Sequence, residues 1–274
     1  MLQVSQLFIY PIKSLGGIAL TKARVTSRGF EYDRRWMLID KNNRFLSQRE
    51  SAQMALLQVE LSDNGLIITH KTTGHSILIP FRPQTSESCQ VVIWDDTCTA
   101  IYVSADADDW FTKVLGMNCR LVYMPDDSLR QVDEKYAALG NITSFSDGYA
   151  FLLIGQSSLD DLNSRMTEVL PIIRFRPNIV FTGGKPFEED KIDNFTIGDI
   201  NFYGVKLCAR CVIPTIDPKT AARAKEPLKT LATYRRRNND VYFGQNLIHK
   251  GDGIVAVGDI ITIKNYHNEP KFVI

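Results

Sequence analysis

Cys208 and Cys211 close an apolar run in C-x-x-C spacing, ahead of Val212-Ile213-Pro214-Thr215-Ile216-Asp217-Pro218. No other residues in the chain are better suited to metal or redox chemistry, because a thiolate is the soft ligand that soft metals select. Four readings compete. A structural zinc site needs four ligands, usually two pairs, and the histidines (His70, His75, His249, His267) supply no second pair. A thioredoxin-like dithiol sits at a helix N-terminus in an α/β frame, whereas here two prolines follow and the context is β. A single thiolate could hold a soft metal while its neighbour packs as a small hydrophobe, with Arg210 beside Cys211 favouring the charged form. Or both cysteines simply pack at a strand end.

Anion-gripping chemistry is suggested elsewhere. Lys13-Ser14 follows Tyr10-Pro11-Ile12 at a strand end, and Gly16-Gly17 would let backbone approach a ligand closely. Asp33-Arg34-Arg35-Trp36 and Arg174-Phe175-Arg176-Pro177-Asn178 add guanidinium groups, whose fork matches phosphate. Each is equally a solvated strand end, and Tyr234-Arg-Arg-Arg237 reads as a solvated helix face. Ser144–Tyr149 carries the polar pair Ser146-Asp147 in a turn, and Phe243-Gly244-Gln245-Asn246 offers amide donors or a β-bulge. No dinucleotide or Walker loop is present, and no Ser/His/Asp order stands out.

The elements that must carry these groups read as strands. Leu2–Ile12, Lys22–Thr26, Arg35–Asp40, Ala55–Leu61, Leu66–His70 and His75–Pro80 recur at spacings too short for crossover helices, so antiparallel pairing in a barrel or sandwich is expected. Gln90–Trp94, Thr99–Val103, Cys119–Met124, Tyr149–Ile154, Asn178–Thr182, Ile200–Leu207, Val241–Ile248 and Ile261–Lys264 continue the pattern. Helices are expected from Ser104 to Gly116, from a capping box at Ser157–Asp160, and after Pro227 through Leu228–Arg237. Pro125–Ser146 reads as a linker or long loop. The fold class is therefore mostly β with a few peripheral helices.

With 44% hydrophobic residues in 274, the chain can bury a large core in one or two domains. Thirty-two basic against 31 acidic residues leave a net charge of +1, which gives no reason to expect nucleic-acid or membrane-surface binding. The opening residues lack a basic leader and cleavage site, and no apolar run reaches the roughly 18 residues of a membrane span. Five cysteines, an odd number, point to reduced thiols and a cytoplasmic setting.

Six segments in this order resemble the MOSC family: Tyr10-Pro-Ile-Lys-Ser14, Asp33-Arg-Arg-Trp36, Ser146-Asp147, Leu159-Asp-Asp-Leu-Asn163, Arg174-Phe-Arg-Pro-Asn178 and Cys208-x-x-Cys211-x-x-Pro-Thr-x-Asp217. The resemblance implies an N-terminal MOSC-associated β-barrel region over residues 1–120 and a MOSC β-barrel domain over 121–274. It implies a single molybdenum–pterin cofactor (Moco) between them, with Cys211 as the protein ligand to molybdenum and catalytic residue and Cys208 as a non-ligand. Lys13, Ser14, Arg34, Arg176 and Asn178 match residues that hold the pterin and its phosphate, and Ser146 and Asp147 fall at further cofactor contacts. Asn246 joins this set as a candidate cofactor-binding amide. Relatives have Asp-Pro-x-Thr-Gly where this chain has Asp217-Pro-Lys-Thr220-Ala221. The implied activity is reduction of N-hydroxylated small molecules, such as N-hydroxylated bases and amidoximes. No C-x₄-C-x₂-C run for a fused iron–sulfur domain occurs, so a separate electron-donor protein is expected. The rival reading is a non-catalytic carrier or sensor of cofactor or sulfur that uses Cys211.

Overall fold

The computed structural model describes residues 1–268. Seven strands close into a barrel in the order Phe151–Gly155, Ile179–Thr182, Leu2–Ile9, Ile260–Tyr266, Ile192–Ile197, Ile200–Ala209 and Asp240–Lys250, the last pairing back onto the first through Leu152↔Asn246. Pairing is antiparallel except between Phe151–Gly155 and Ile179–Thr182, which the helix Gln156–Ser164 connects as a crossover. Alternation along these strands explains the closure. Phe151, Leu153, Ile179 and Phe181 point into a core with Val4, Phe195, Phe202 and Leu247. Leu152, Ile154 and Val180 point outward, where Leu159 and Leu162 of the crossover helix and Leu231 cover them.

A second body is built from residues 36–123. Trp36–Ile39, Arg120–Tyr123, Asp96–Tyr102 and Ser88–Ile93 form one sheet, and Leu57–Ser62, Gly65–His70 and Ser76–Pro80 form a meander. The helix Ala105–Leu115 runs from its Ser104 cap, which accepts from the Ala107 amide at 3.2 Å, to left-handed Gly116. Phe111 and Ala107 bury its inner face against Trp36, Leu57 and Leu121.

Several expectations are corrected. Helix Gln156–Ser164 starts without a capping box: Ser157 Oγ donates to Gly184 O and Ser158 Oγ to Glu189 Oε2. The helix after Pro227 stops at Ala232, because Arg236–Arg237 pair with Asp240–Val241. Arg235 is 2% exposed in an ion pair with Asp190 rather than on a solvated face. Pro125–Ser146 is no free linker. Arg28 holds Asp126 O at 2.7 Å, and buried Arg130, paired with Asp96, donates to the carbonyls of Ser144 and Ser146. No helix among the described residues is long and apolar enough to cross a membrane.

Candidate functional site

Where the two bodies meet, the Tyr10-Pro-Ile-Lys-Ser14 and Asp33-Arg-Arg-Trp36 segments are stitched side by side. Lys13 N donates to Trp36 O at 2.8 Å, Trp36 N to Pro11 O, and Arg34 N to Tyr10 O. Asp33, 2% exposed, accepts from the Tyr10 amide at 2.7 Å and pairs with Arg34. The Ser144–Asp147 turn is fastened to the same place by Phe145 N on Arg34 O and Ser144 Oγ on Asp33 O. Asn178 holds the barrel side: its Oδ1 accepts from Arg34 Nη1 and Leu152 N, and its Nδ2 donates to Phe8 O. Gly16 and Gly17 serve the protein rather than a ligand. A Cβ on Gly17 would meet the Tyr10 ring at 2.4 Å, and one on Gly16 would meet Leu57 O at 3.0 Å.

This joint opens as a cleft of about 270 Å³. Cys211, Lys13, Ser14, Arg34, Ser146, Asp147, Arg176, Asn178 and Asn246, gathered from six separate stretches of sequence, all line it. Sequence reasoning passed over Arg49, Lys206 and Tyr149, which line it too. Lys206 had a signal, a lone cation inside a buried barrel strand; Arg49 had none, since only the fold brings it there. Six cations (Lys13, Arg34, Arg49, Arg176, Lys206, Arg210) face one carboxylate, Asp147, so the cleft is strongly electropositive in a chain of nearly zero net charge.

Strain gathers here as well. Ser14, Arg34 and Arg176 all adopt left-handed backbone, at φ 68°, 51° and 57°. That region costs a non-glycine residue about 1–2 kcal/mol, and such conformers concentrate at functional sites. Arg34 and Arg176 both stack on the Tyr10 ring, with guanidinium carbons 4.4 and 4.2 Å from its centroid. Arg176 Nη1 donates to Leu15 O, but its Nη2 is shut from solvent without a partner. A buried donor left unmade is costly, so an anionic ligand at this point would repair a standing deficit. Burial, then the neighbouring Arg34, pulls Arg176 down to about 10.

Lys13, 4% exposed, donates to Phe145 O at 2.7 Å and pairs with Asp147 at 2.5 Å. Burial lowers its ammonium to about 8 in spite of that carboxylate. Asp147 bridges Lys13 and Arg49, whose charges outweigh burial and hold it well below the usual carboxylate range; half-exposed at the cleft mouth, it keeps water as a screen. For a base with a depressed value, the unfolded chain binds more protons between about 8 and 10.5, so this group's contribution to stability rises with pH there. Anion affinity runs the other way. Sulfate, whose own charge is constant near neutrality, is expected to bind the cofactor-free chain roughly tenfold more weakly at pH 9 than at pH 7, the ratio of charged Lys13. Lys13→Met should flatten the profile in calorimetric titrations; an unchanged slope would remove Lys13 from the site.

Cys211 follows the last rung of the strand Ile200–Ala209, where Arg210 N donates to Val241 O. Arg174 holds the next turn, donating to Pro214 O at 3.0 Å and facing Asp217. Both cysteines are partly exposed, so neither is sealed in the core. The expected partnership with Arg210 is corrected: its guanidinium donates to Cys208 Sγ at 3.1 Å and Phe175 O at 2.6 Å, while Arg49 is the cation that interacts electrostatically with Cys211. Among the described residues no three His, Cys, Asp or Glu side chains gather as a metal cage.

Ala221 is left-handed at φ 59°. Ala221→Gly is expected to stabilise the chain by about 0.5–1 kcal/mol, read as a higher denaturant midpoint at constant slope. A lower midpoint would mean that the alanine methyl contributes packing worth more than the strain.

Comparison with known proteins follows the same outline. Residues 1–118 match the MOSC N-terminal beta barrel domain and residues 141–262 the MOSC domain. Mitochondrial amidoxime-reducing component 1 of Mus musculus is 32% identical over 95% of this chain and 82% of its own length. Mitochondrial amidoxime reducing component 2 of Bos taurus is 32% identical over 85% and 72%. Molybdenum cofactor sulfurase of Danio rerio is 30% identical over 98% of this chain, which spans 35% of that longer protein. With both domain models matched in order and a relative 32% identical over 82% of its own length, the chain belongs to the MOSC family.

Proposed function

We propose that this chain is a molybdenum-dependent oxidoreductase that reduces N-hydroxylated compounds with electrons from a separate donor protein. The observation that carries the reading is one partly exposed thiol, Cys211, on the wall of a cleft lined by six cations. The named activity of the amidoxime-reducing relatives supports it. The residues fit a molybdenum–pterin group: Cys211 as the single protein ligand, Arg176 Nη2 as an unmet donor for an anion, and Lys13, Ser14, Arg34 and Ser146 around it. When bound, the group supplies two-electron redox chemistry with oxygen exchange.

The chain's own residues do the rest. Lys13 and Arg176 supply charge for the anionic end, Tyr10 fixes the two guanidinium planes, and Asn178 locks Arg34 to the barrel. Arg49 lies between the thiol and Asp147, placing a fixed positive charge beside the reacting end. The overall reaction balances as one N-hydroxy compound, two electrons and two protons giving the amine or amidine and water. We read residues 1–120 and 121–274 as two regions clasping the group, and five cysteines without a disulfide fit a cytoplasmic location.

A carrier of cofactor or sulfur is the second reading, favoured by the sulfurase likeness over nearly the whole chain. Purification from a cofactor-competent host decides between them. About one molybdenum per chain, with hydroxylaminopurine reduced by dye-supplied electrons, supports the enzyme; cofactor or labile sulfur without turnover supports the carrier. A metal-free, sulfur-free protein defeats both.

A further inference from the structure

Charge along the chain is balanced overall at 32 basic against 31 acidic residues, but not locally. Between residues 219 and 237 stand Lys219, Arg223, Lys225, Lys229, Arg235, Arg236 and Arg237, with Glu226 the one carboxylate. Arg235 is spent internally on Asp190, and Glu226 is spent on the Thr230 amide at 3.0 Å. Lys219, Arg223, Lys225, Lys229 and Arg236 are exposed. Solvated lysines are ordinary singly; five exposed cations in one stretch, with the exposed carboxylate of Asp240 only at its end, are not.

The stretch arches around Cys211. On one side Arg223 pairs with Ile216, Ala224 N donates to Thr215 O, and Arg223 Nη2 donates to Arg49 O. On the other, Arg236 pairs with Val241, the residue whose carbonyl takes the Arg210 amide. Between them Val212, next to Cys211, is 44% exposed. An exposed apolar residue flanked by charge of one sign suits a small transient interface, in which electrostatics sets encounter rate and orientation.

We propose that this basic arch, centred on Val212, is the docking face for an acidic electron-carrier protein. The inference rests on the reductase reading, whose two electrons must enter beside the cleft. The reduced carrier is oxidised, the N–O bond of the substrate breaks, and the oxygen leaves as water with two protons from solvent. A membrane fits poorly, since the arch's helix, Leu228–Ala232, has five residues with only Leu231 buried and no exposed apolar face. Nucleic acid fits poorly too: the arch's aromatic, Tyr234, is partly buried beneath the Arg165 guanidinium.

The test uses the molybdenum-loaded chain, an acidic plant-type ferredoxin and an acidic flavodoxin, with dye as the small donor. Lys219→Glu/Lys225→Glu/Lys229→Glu and, separately, Arg236→Glu should leave dye-driven turnover unchanged and lower carrier-driven kcat/KM roughly tenfold at low salt. Carrier-driven rates of the unaltered chain should fall as salt rises, and those of the reversed variants should not. A carrier with amidated carboxylates should behave like the reversals. Equal carrier-driven rates across the variants overturn the proposal. So does an unaltered chain that binds neither carrier, or one that binds duplex DNA or phosphatidylserine vesicles more tightly than either at equal salt. Absent dye-driven turnover would instead strike the reductase reading; docking would then be read from carrier binding by calorimetry with the same variants.

Discussion

Cys211→Ala is expected to emerge with essentially no molybdenum and with turnover reduced by ~10³-fold or more, the scale seen when one indispensable side chain is removed. The cleft's second thiol, Cys208, is engaged elsewhere: its sulfur accepts a hydrogen bond from Arg210 and its body packs against the Phe175 and Phe243 layer. Cys208→Ala should therefore keep its metal and activity and lose at most about 1 kcal/mol of stability, an ordinary partly buried truncation. The pair of variants is read by elemental analysis and dye-driven reduction. Equal metal in both, or loss in Cys208→Ala alone, would reverse the assignment of the two sulfurs.

The largest expected loss of stability comes from a residue that never meets the ligand. Asp33→Ala removes the acceptor of the Tyr10 amide and the partner of Arg34, both at a buried joint. Leaving one member of a buried ion pair unmatched costs about 3–5 kcal/mol, and a denaturant midpoint measures it. Arg34 also loses its hold over Tyr10, so sulfate affinity should fall in any fraction that folds. Asp33→Asn keeps an acceptor for Tyr10 N and should recover part of the stability but not the anion affinity. A loss under about 1 kcal/mol in Asp33→Ala would show that water reaches this joint and that the pair is a surface one.

Much of the barrel was legible because its strands obey a two-residue period: Ile200–Leu207 falls within the strand Ile200–Ala209, and outside the barrel Ser104 and Gly116 bound their helix as their chemistry demands. Ile192–Ile197 and Gly253–Ala256 escaped notice, the first lying behind the acidic run Glu188–Asp190 and the second amid glycines. Local reading misjudged arginines most. Arg235 in a basic run looked solvated, and Arg130 in a polar stretch looked idle, because nothing nearby in sequence announces the Asp190 or Asp96 that neutralises each. Conversely, no single cluster in the cleft was persuasive alone. Lys13 and Asp147 are 134 positions apart, and only closure of the fold makes them one object.

The pairing of Leu2–Ile9 with Ile260–Tyr266, through Leu2↔Ile261, has a consequence for biogenesis. This seam cannot form until some 250 residues beyond Leu2 have left the ribosome, so the barrel closes only after nearly all of its strands are made. Leu2–Ile9 can pair at once with Ile18–Leu20 and later with Ile179–Thr182, but its Leu2–Gln3 end stays open until Ile260–Tyr266 arrives. Chaperone dependence in cells, and poor tolerance of proteolytic trimming near residue 260, follow from the same late seam.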